Sequence, residues 1–165
     1  MVRYADSPTA EVTVAINADP LTVWSLVTDI NLPARFSDEF VGAEWLEPGP
    51  ALGATFRGRN QHQAVGEWSA MCTITACDEE RAFEWTVGEV NHKVARWRFD
   101  LEPDNDGVTL RFRAEMGPAP SGLTPAIERN PDQEEAIVAG RLSAWTANMQ
   151  RTVDGIKELA ERGEP

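Results

Sequence analysis

The chain has 165 residues, 42% of them hydrophobic and 25% charged, a composition that builds a packed core and excludes a disordered or fibrous protein. Its formal charge of −12 and pI near 4.5 repel nucleic-acid phosphates and anionic membrane surfaces, leaving a small molecule or another protein as partner. No apolar run reaches the length of a membrane span, and Met1 to Ala10 lacks the basic region and apolar stretch of a signal peptide, so a cytoplasmic protein without membrane insertion is expected.

Glu11 to Ile16 alternates, with Val12, Val14 and Ile16 on one face, the period-2 pattern of a half-buried strand. Asp19-Pro20 then pairs a capping residue with a proline at a first helical position, and Leu21, Trp24, Leu26 and Val27 carry helical spacing. Asn31-Leu32-Pro33 ends that helix, because the residue before a proline avoids helical angles, and a second short turn carrying Phe36 follows.

From Val41 to Met116 the chain reads as six strands, at about 41–47, 53–62, 67–77, 81–88, 93–102 and 107–116. Short turns such as Asp104-Asn105-Asp106-Gly107 join them into an antiparallel meander. One parity collects Phe56, Trp68, Cys72, Ile74, Phe83 and Trp85, and beyond them Val87, Trp97, Phe99, Leu110, Phe112 and Met116. The other collects arginines and glutamates, among them Glu67, Glu84, Arg96, Arg98 and Glu115, so one face is dry and one wet. The dry face requires a cover.

Gly117 to Asn130, with Pro118, Pro120 and Pro125, is too long for a tight turn and reads either as a lid or as an ordered connector. Asn130-Pro131-Asp132-Gln133 combines an N-cap, a proline and a capping-box glutamine, so a long helix is expected from there. Val138, Leu142, Trp145, Met149, Val153 and Ile156 form its apolar stripe. The fold class is therefore α+β, a curved antiparallel sheet of about seven strands around one long C-terminal helix, and residues 1–165 make one domain.

Strand, two short helices, meander and terminal helix is the order of the START and birch-pollen-allergen superfamily, SRPBCC, and the chain resembles it. The segment Ala18-Asp19-Pro20-Leu21-Thr22-Val23-Trp24 is similar to that superfamily's opening helix. Trp45-Leu46-Glu47-Pro48-Gly49-Pro50 with Leu52-Gly53-Ala54-Thr55-Phe56-Arg57-Gly58 is similar to the second and third strands of bacterial polyketide cyclase/dehydrase-like members. The resemblance implies a helix-grip fold with a cavity for lipids, sterols or polyketides, and it carries no catalytic residue set over to this chain.

Four of the six tryptophans, Trp68, Trp85, Trp97 and Trp145, fall on the face expected to be enclosed, where an indole adds large apolar area and an N–H that wants a partner. The expected lining is Phe56, Trp68, Trp85, Trp97, Phe99 and Phe112 from the sheet, with Leu142, Trp145 and Met149 from the helix; the plain alternative is core packing. Asn60 and His62 share the parity of Phe56 and are candidate polar anchors, the alternative being a strand end in solvent. With two histidines and two cysteines, none at ligand spacing, neither a metal nor another cofactor is expected. Three functions stand open: binding of a small hydrophobic or aromatic molecule, polyketide cyclisation or dehydration in the same cavity, and protein interaction like that of chaperone-associated members. Monomer and homodimer are both compatible with the sequence.

Overall fold

The computed structural model describes residues 2–163. β1 (Thr9–Ile16) turns Ala10, Val12 and Ile16 into the core. α1 (Pro20–Val27) begins where the Asp19 carboxylate accepts a hydrogen bond from the Leu21 N–H at 2.8 Å, and Pro20 fixes φ for the first turn. A 3-10 turn at Leu32–Arg35 is the second short helix, and Phe36 ends it.

The meander follows as β2 (Phe40–Trp45), β3 (Thr55–His62), β4 (Gly66–Asp78), β5 (Ala82–Glu89), β6 (His92–Asp104) and β7 (Gly107–Met116). All neighbours pair antiparallel in the order β1-β7-β6-β5-β4-β3-β2. Register shifts between Phe40 and Gly42, Ile74 and Ala76, and Val87 and Gly88 put an extra residue into one strand of a pair. Each such bulge raises the local twist, and together they help curl the sheet into a half-barrel.

The long helix α3 (Glu134–Glu161) lies in the concave side, and the whole is a helix-grip fold. Its C-terminal half seals the core: Met149, Val153 and Ile156 are at most 1% exposed. Gly155 admits the Phe36 ring, since a Cβ there would stand 2.3 Å from it. At the open edge of the sheet, Lys157 Nζ donates to the Ala15 carbonyl at 2.8 Å and the Asn17 N–H donates to the Glu161 carboxylate at 2.9 Å. These contacts satisfy edge groups that would otherwise offer a pairing template.

The start of the long helix differs from expectation. Residues 117–130 contain a further helix, α2 (Thr124–Arg129), and Pro131–Gln133 forms a 3-10 turn before α3 begins at Glu134. Asn130 makes no side-chain cap, so the capping box does not form. The reason is local: the Asn130 N–H is spent on the Ala126 and Ile127 carbonyls as α2 ends, which holds the residue at φ −138°, ψ 69°. Glu134 instead accepts from the Tyr4 N–H and Arg3 Nε, both at 3.0 Å. The connector is tied down at its other end too, by the Tyr4 hydroxyl on the Ala119 carbonyl at 2.6 Å.

The convex face carries the charge ladder, yet its centre is covered. Glu84 is 8% exposed, accepting from Thr75 Oγ1 at 2.7 Å and Arg98 Nη1 at 3.1 Å. Burial alone would raise the Glu115 carboxyl, but hydrogen bonding from Lys93 and the charges of Arg96 and Lys93 hold it below the usual carboxylate value.

Candidate functional site: an aromatic cleft with one part-buried ion pair

The concave floor is laid down in cross-strand rows. Phe83, Phe99, Phe112 and Val12 share the deepest one, where Phe99 and Phe112 stack at 4.0 Å and are 1% and 4% exposed. One step along, Ile74, Trp85, Trp97, Ala114 and Ala10 are cross-strand partners. Trp85 and Trp97 stack 6.4 Å apart with an interplanar angle of 12°. Beyond them come Phe56, Cys72, Val87 and Ala95, then Gly58 with Ala70, and at the end Asn60 opposite Trp68.

Exposure changes along these rows. The phenylalanines at the deep end are sealed, whereas Trp68, Ala70, Trp85, Val87 and Trp97 remain half-buried although they point inward. The helix shows the same split: from Glu134 to Asn148 only Val138 is buried, and Leu142 and Trp145 are half-buried. Between the tryptophan row and Trp68 stand small residues, Ala95 beside Val87 and then Gly58 opposite Ala70. This half-buried end of the concave face, towards the β3–β4 and β5–β6 turns, is the candidate cleft. Cys72 lies in its floor, 4% exposed, and burial pushes its thiol up to about 12.

Trp145 closes the cleft from above, its ring 4.7 Å from that of Trp97. Among the described residues the indole N–H groups of Trp68, Trp85, Trp97 and Trp145 have no protein acceptor, while no buried side-chain nitrogen or oxygen is left unpartnered. These four N–H groups therefore reach water or a ligand rather than the sealed interior.

At the helix side of the cleft stands an ion pair that the sequence did not announce. Glu39, 8% exposed, accepts from Arg141 Nη1 at 2.6 Å and from Nη2 at 2.9 Å, and the Arg141 guanidinium lies 5.8 Å from the Trp145 ring centroid. The segment that carries Glu39 is strapped to α3 by further contacts: Arg151 Nη2 donates to Asp38 at 2.9 Å, and Arg151 Nε to the Phe36 carbonyl at 3.0 Å. The Glu39 carbonyl accepts from the Gln61 N–H at 2.9 Å, beside Asn60. Ion pair and Asn60 strand thus meet at one end of the cleft.

The residues expected to line a cavity fall into three groups. Phe56, Phe99, Phe112 and Met149 are sealed in the core; Asn60, Trp68, Trp85, Trp97, Leu142 and Trp145 are half-buried along the cleft. His62 is exposed at the end of β3, where its Nδ1 accepts from the Ala64 N–H at 3.1 Å and steadies the turn. Separately, a shallow depression of about 260 Å³ lies beside α3, lined by Val2, Ala136, Val138, Ala139, Leu142 and Glu135. Among the described residues no group of His, Cys, Asp and Glu is placed to hold a metal ion, and no helix is long and apolar enough to cross a membrane.

A seven-stranded half-barrel gripping one long helix is the helix-grip fold. Within that fold the chain belongs to the family described as polyketide cyclase / dehydrase and lipid transport, whose pattern matches residues 7–161. The solution structure of a polyketide-cyclase-like protein from Corynebacterium glutamicum superposes with a TM-score of 0.68 at 25% identity, covering 95% of this chain and 93% of that one. The di-domain aromatase/cyclase StfQ of the steffimycin biosynthetic pathway superposes with a TM-score of 0.73 at 13% identity, over 94% of this chain and 51% of that one. The crystal structure of Ara h 8.0201 does so with a TM-score of 0.52 at 12% identity, over 89% of this chain and 98% of that one. The last two likenesses bear on the fold alone. No curated protein matches the sequence.

Proposed function

We propose that the chain binds a small hydrophobic molecule with a planar or polycyclic body in the cleft between β3–β6 and the N-terminal half of α3. The family supports a hydrophobic-ligand or cyclase role in general terms. The observation that carries the finer reading is the half-burial of Trp68, Trp85, Trp97 and Trp145, large apolar rings aimed inward but not sealed by the helix. Covering such rings with a flat ligand removes apolar area from water at about 25 cal/mol per Å². Offset stacking adds about 0.5–1.5 kcal/mol per ring pair. The free indole N–H groups supply donors for a ligand carbonyl or hydroxyl.

Titration of intrinsic tryptophan fluorescence with fatty acids, sterols, flavonoids and aromatic polyketides tests this reading. Saturable quenching by the flat ring systems, weakened in Trp97→Leu, is the expected result. A flat response across the panel sinks it. A second reading, a cyclase or dehydratase working in the same cleft, is favoured by one observation: the Glu39–Arg141 pair brings a carboxylate and a guanidinium to the cleft rim, where they can order a flexible substrate. Product formation from a linear polyketide that survives Glu39→Gln unchanged removes that role for Glu39.

A further inference from the structure

We infer that Arg141 is the specificity-determining residue of the cleft and selects a ligand bearing a planar carboxylate on its aromatic body; the inference rests on the cleft reading above. Glu39 engages Arg141 end-on, one carboxylate oxygen on each terminal nitrogen, at 2.6 and 2.9 Å. A guanidinium has five N–H donors in a fixed fork. End-on pairing leaves the lateral edge, Nε–H with the outward N–H of the adjacent terminal nitrogen, without a partner among the described residues. That edge has the spacing of a second carboxylate and receives it with two parallel hydrogen bonds.

The setting fixes what else the ligand must carry. The guanidinium lies against the Trp145 ring, Trp145 packs on Trp97, and Trp97 stacks on Trp85. On the proposed reading, a flat ring system stacked on that row carries a directly attached carboxylate towards Arg141, and the unpartnered lateral edge receives it. Glu39 has two effects on this anion. It holds the guanidinium in place through a bond buried on the Glu39 side, and it competes for the same positive charge. The chain's net charge of −12 disfavours anions at long range, so recognition depends on contact geometry rather than steering.

The test compares naphthoate with naphthamide, which share the ring system and differ in charge, by calorimetry and tryptophan quenching. The wild type is expected to bind naphthoate about tenfold more tightly, the scale of one or two hydrogen bonds to a charged group. Arg141→Gln is expected to abolish that preference while naphthamide affinity stays within about twofold, and Arg141→Lys, which keeps charge without the fork, to retain only part of it. Glu39→Gln is expected to widen the preference by removing the competing anion. Should Arg141→Gln lose its fold by circular dichroism, the Glu39→Gln/Arg141→Gln double variant, which orphans no buried charge, is read in the same way. Equal binding of the two probes by the wild type, or a preference that survives loss of the guanidinium, overturns the inference and leaves the cleft reading standing. Failure of both probes to bind the wild type overturns both.

Discussion

The two halves of α3 have the same amphipathic pattern and different surroundings. From Met149 to Ala160 the apolar stripe is sealed against β1, α1 and the Phe36 ring, whereas from Glu134 to Asn148 Val138 alone is buried and Trp145 stands half-open over the tryptophans of β5 and β6. A helix therefore does two jobs along its length. One half fixes the fold by close packing; the other leaves apolar rings incompletely covered, and the proposed ligand site rests on that difference.

The largest expected effect tests that division directly. Ile156→Ala, at a fully buried position, is expected to cost about 2–5 kcal/mol in urea unfolding, the range for deleting a sealed aliphatic side chain. Leu142→Ala, half-buried in the other half, is expected to cost under about 1.5 kcal/mol, since part of the transfer gain is never realised. Equal costs would break the comparison.

A smaller change probes the packed half from the backbone. Gly155→Ala gains about 1 kcal/mol of helix propensity but drives a methyl group to 2.3 Å from the Phe36 ring. Overpacking of about 1–3 kcal/mol outweighs the gain, and a lowered melting temperature is the expected outcome; a raised one means that Phe36 moves aside at no cost.

Thiol labelling sharpens the contrast from the floor of the cleft. Cys72 is buried with its thiol raised to about 12, while Cys77 is half-buried, and its thiol is raised by burial and then by the charges of Asp78 and Glu79. At pH 8 Cys77 is expected to react first and Cys72 at least about a hundredfold more slowly, by mass spectrometry, because only an exposed thiolate attacks. Comparable rates would mean that the cleft floor itself opens.

The smallest expected effect comes from the convex face, remote from both halves. The folded value of Glu115 is depressed below 4.5, so its contribution to stability is present above that value and is lost as pH falls through the folded value. The urea midpoints of wild type and Glu115→Gln are expected to differ at pH 7 and to converge as the pH falls below the ordinary carboxylate value. A gap that stays constant over that range removes the Lys93 and Arg96 pairing as its cause.

The strand faces were legible because side-chain direction alternates whatever the strand pairs with, so Trp85 and Trp97 could be assigned to one face before their register was known. The Asp19-Pro20 start of α1 was legible for a similar reason, its hydrogen bond spanning two residues. The same kind of signal misled at Asn130, where the end of α2 took the backbone N–H that a capping box would have used, and Glu134 rather than Gln133 tied the helix start to the Tyr4 segment. Glu39 and Arg141 lie 102 residues apart, and neither carries a local pattern. Their pairing follows from the strap that ties Phe36–Glu39 to α3.

By itself the sequence determined periodicities, chain order and the faces of the strands, all of which are set within a few residues by sterics and backbone hydrogen bonding. Only the tertiary structure decided which inward-facing rings are sealed and which stand open, and which carboxylate meets which guanidinium. Burial and ion pairing depend on distances between elements far apart in the chain, and those are fixed by the curl of the sheet and the seating of the helix.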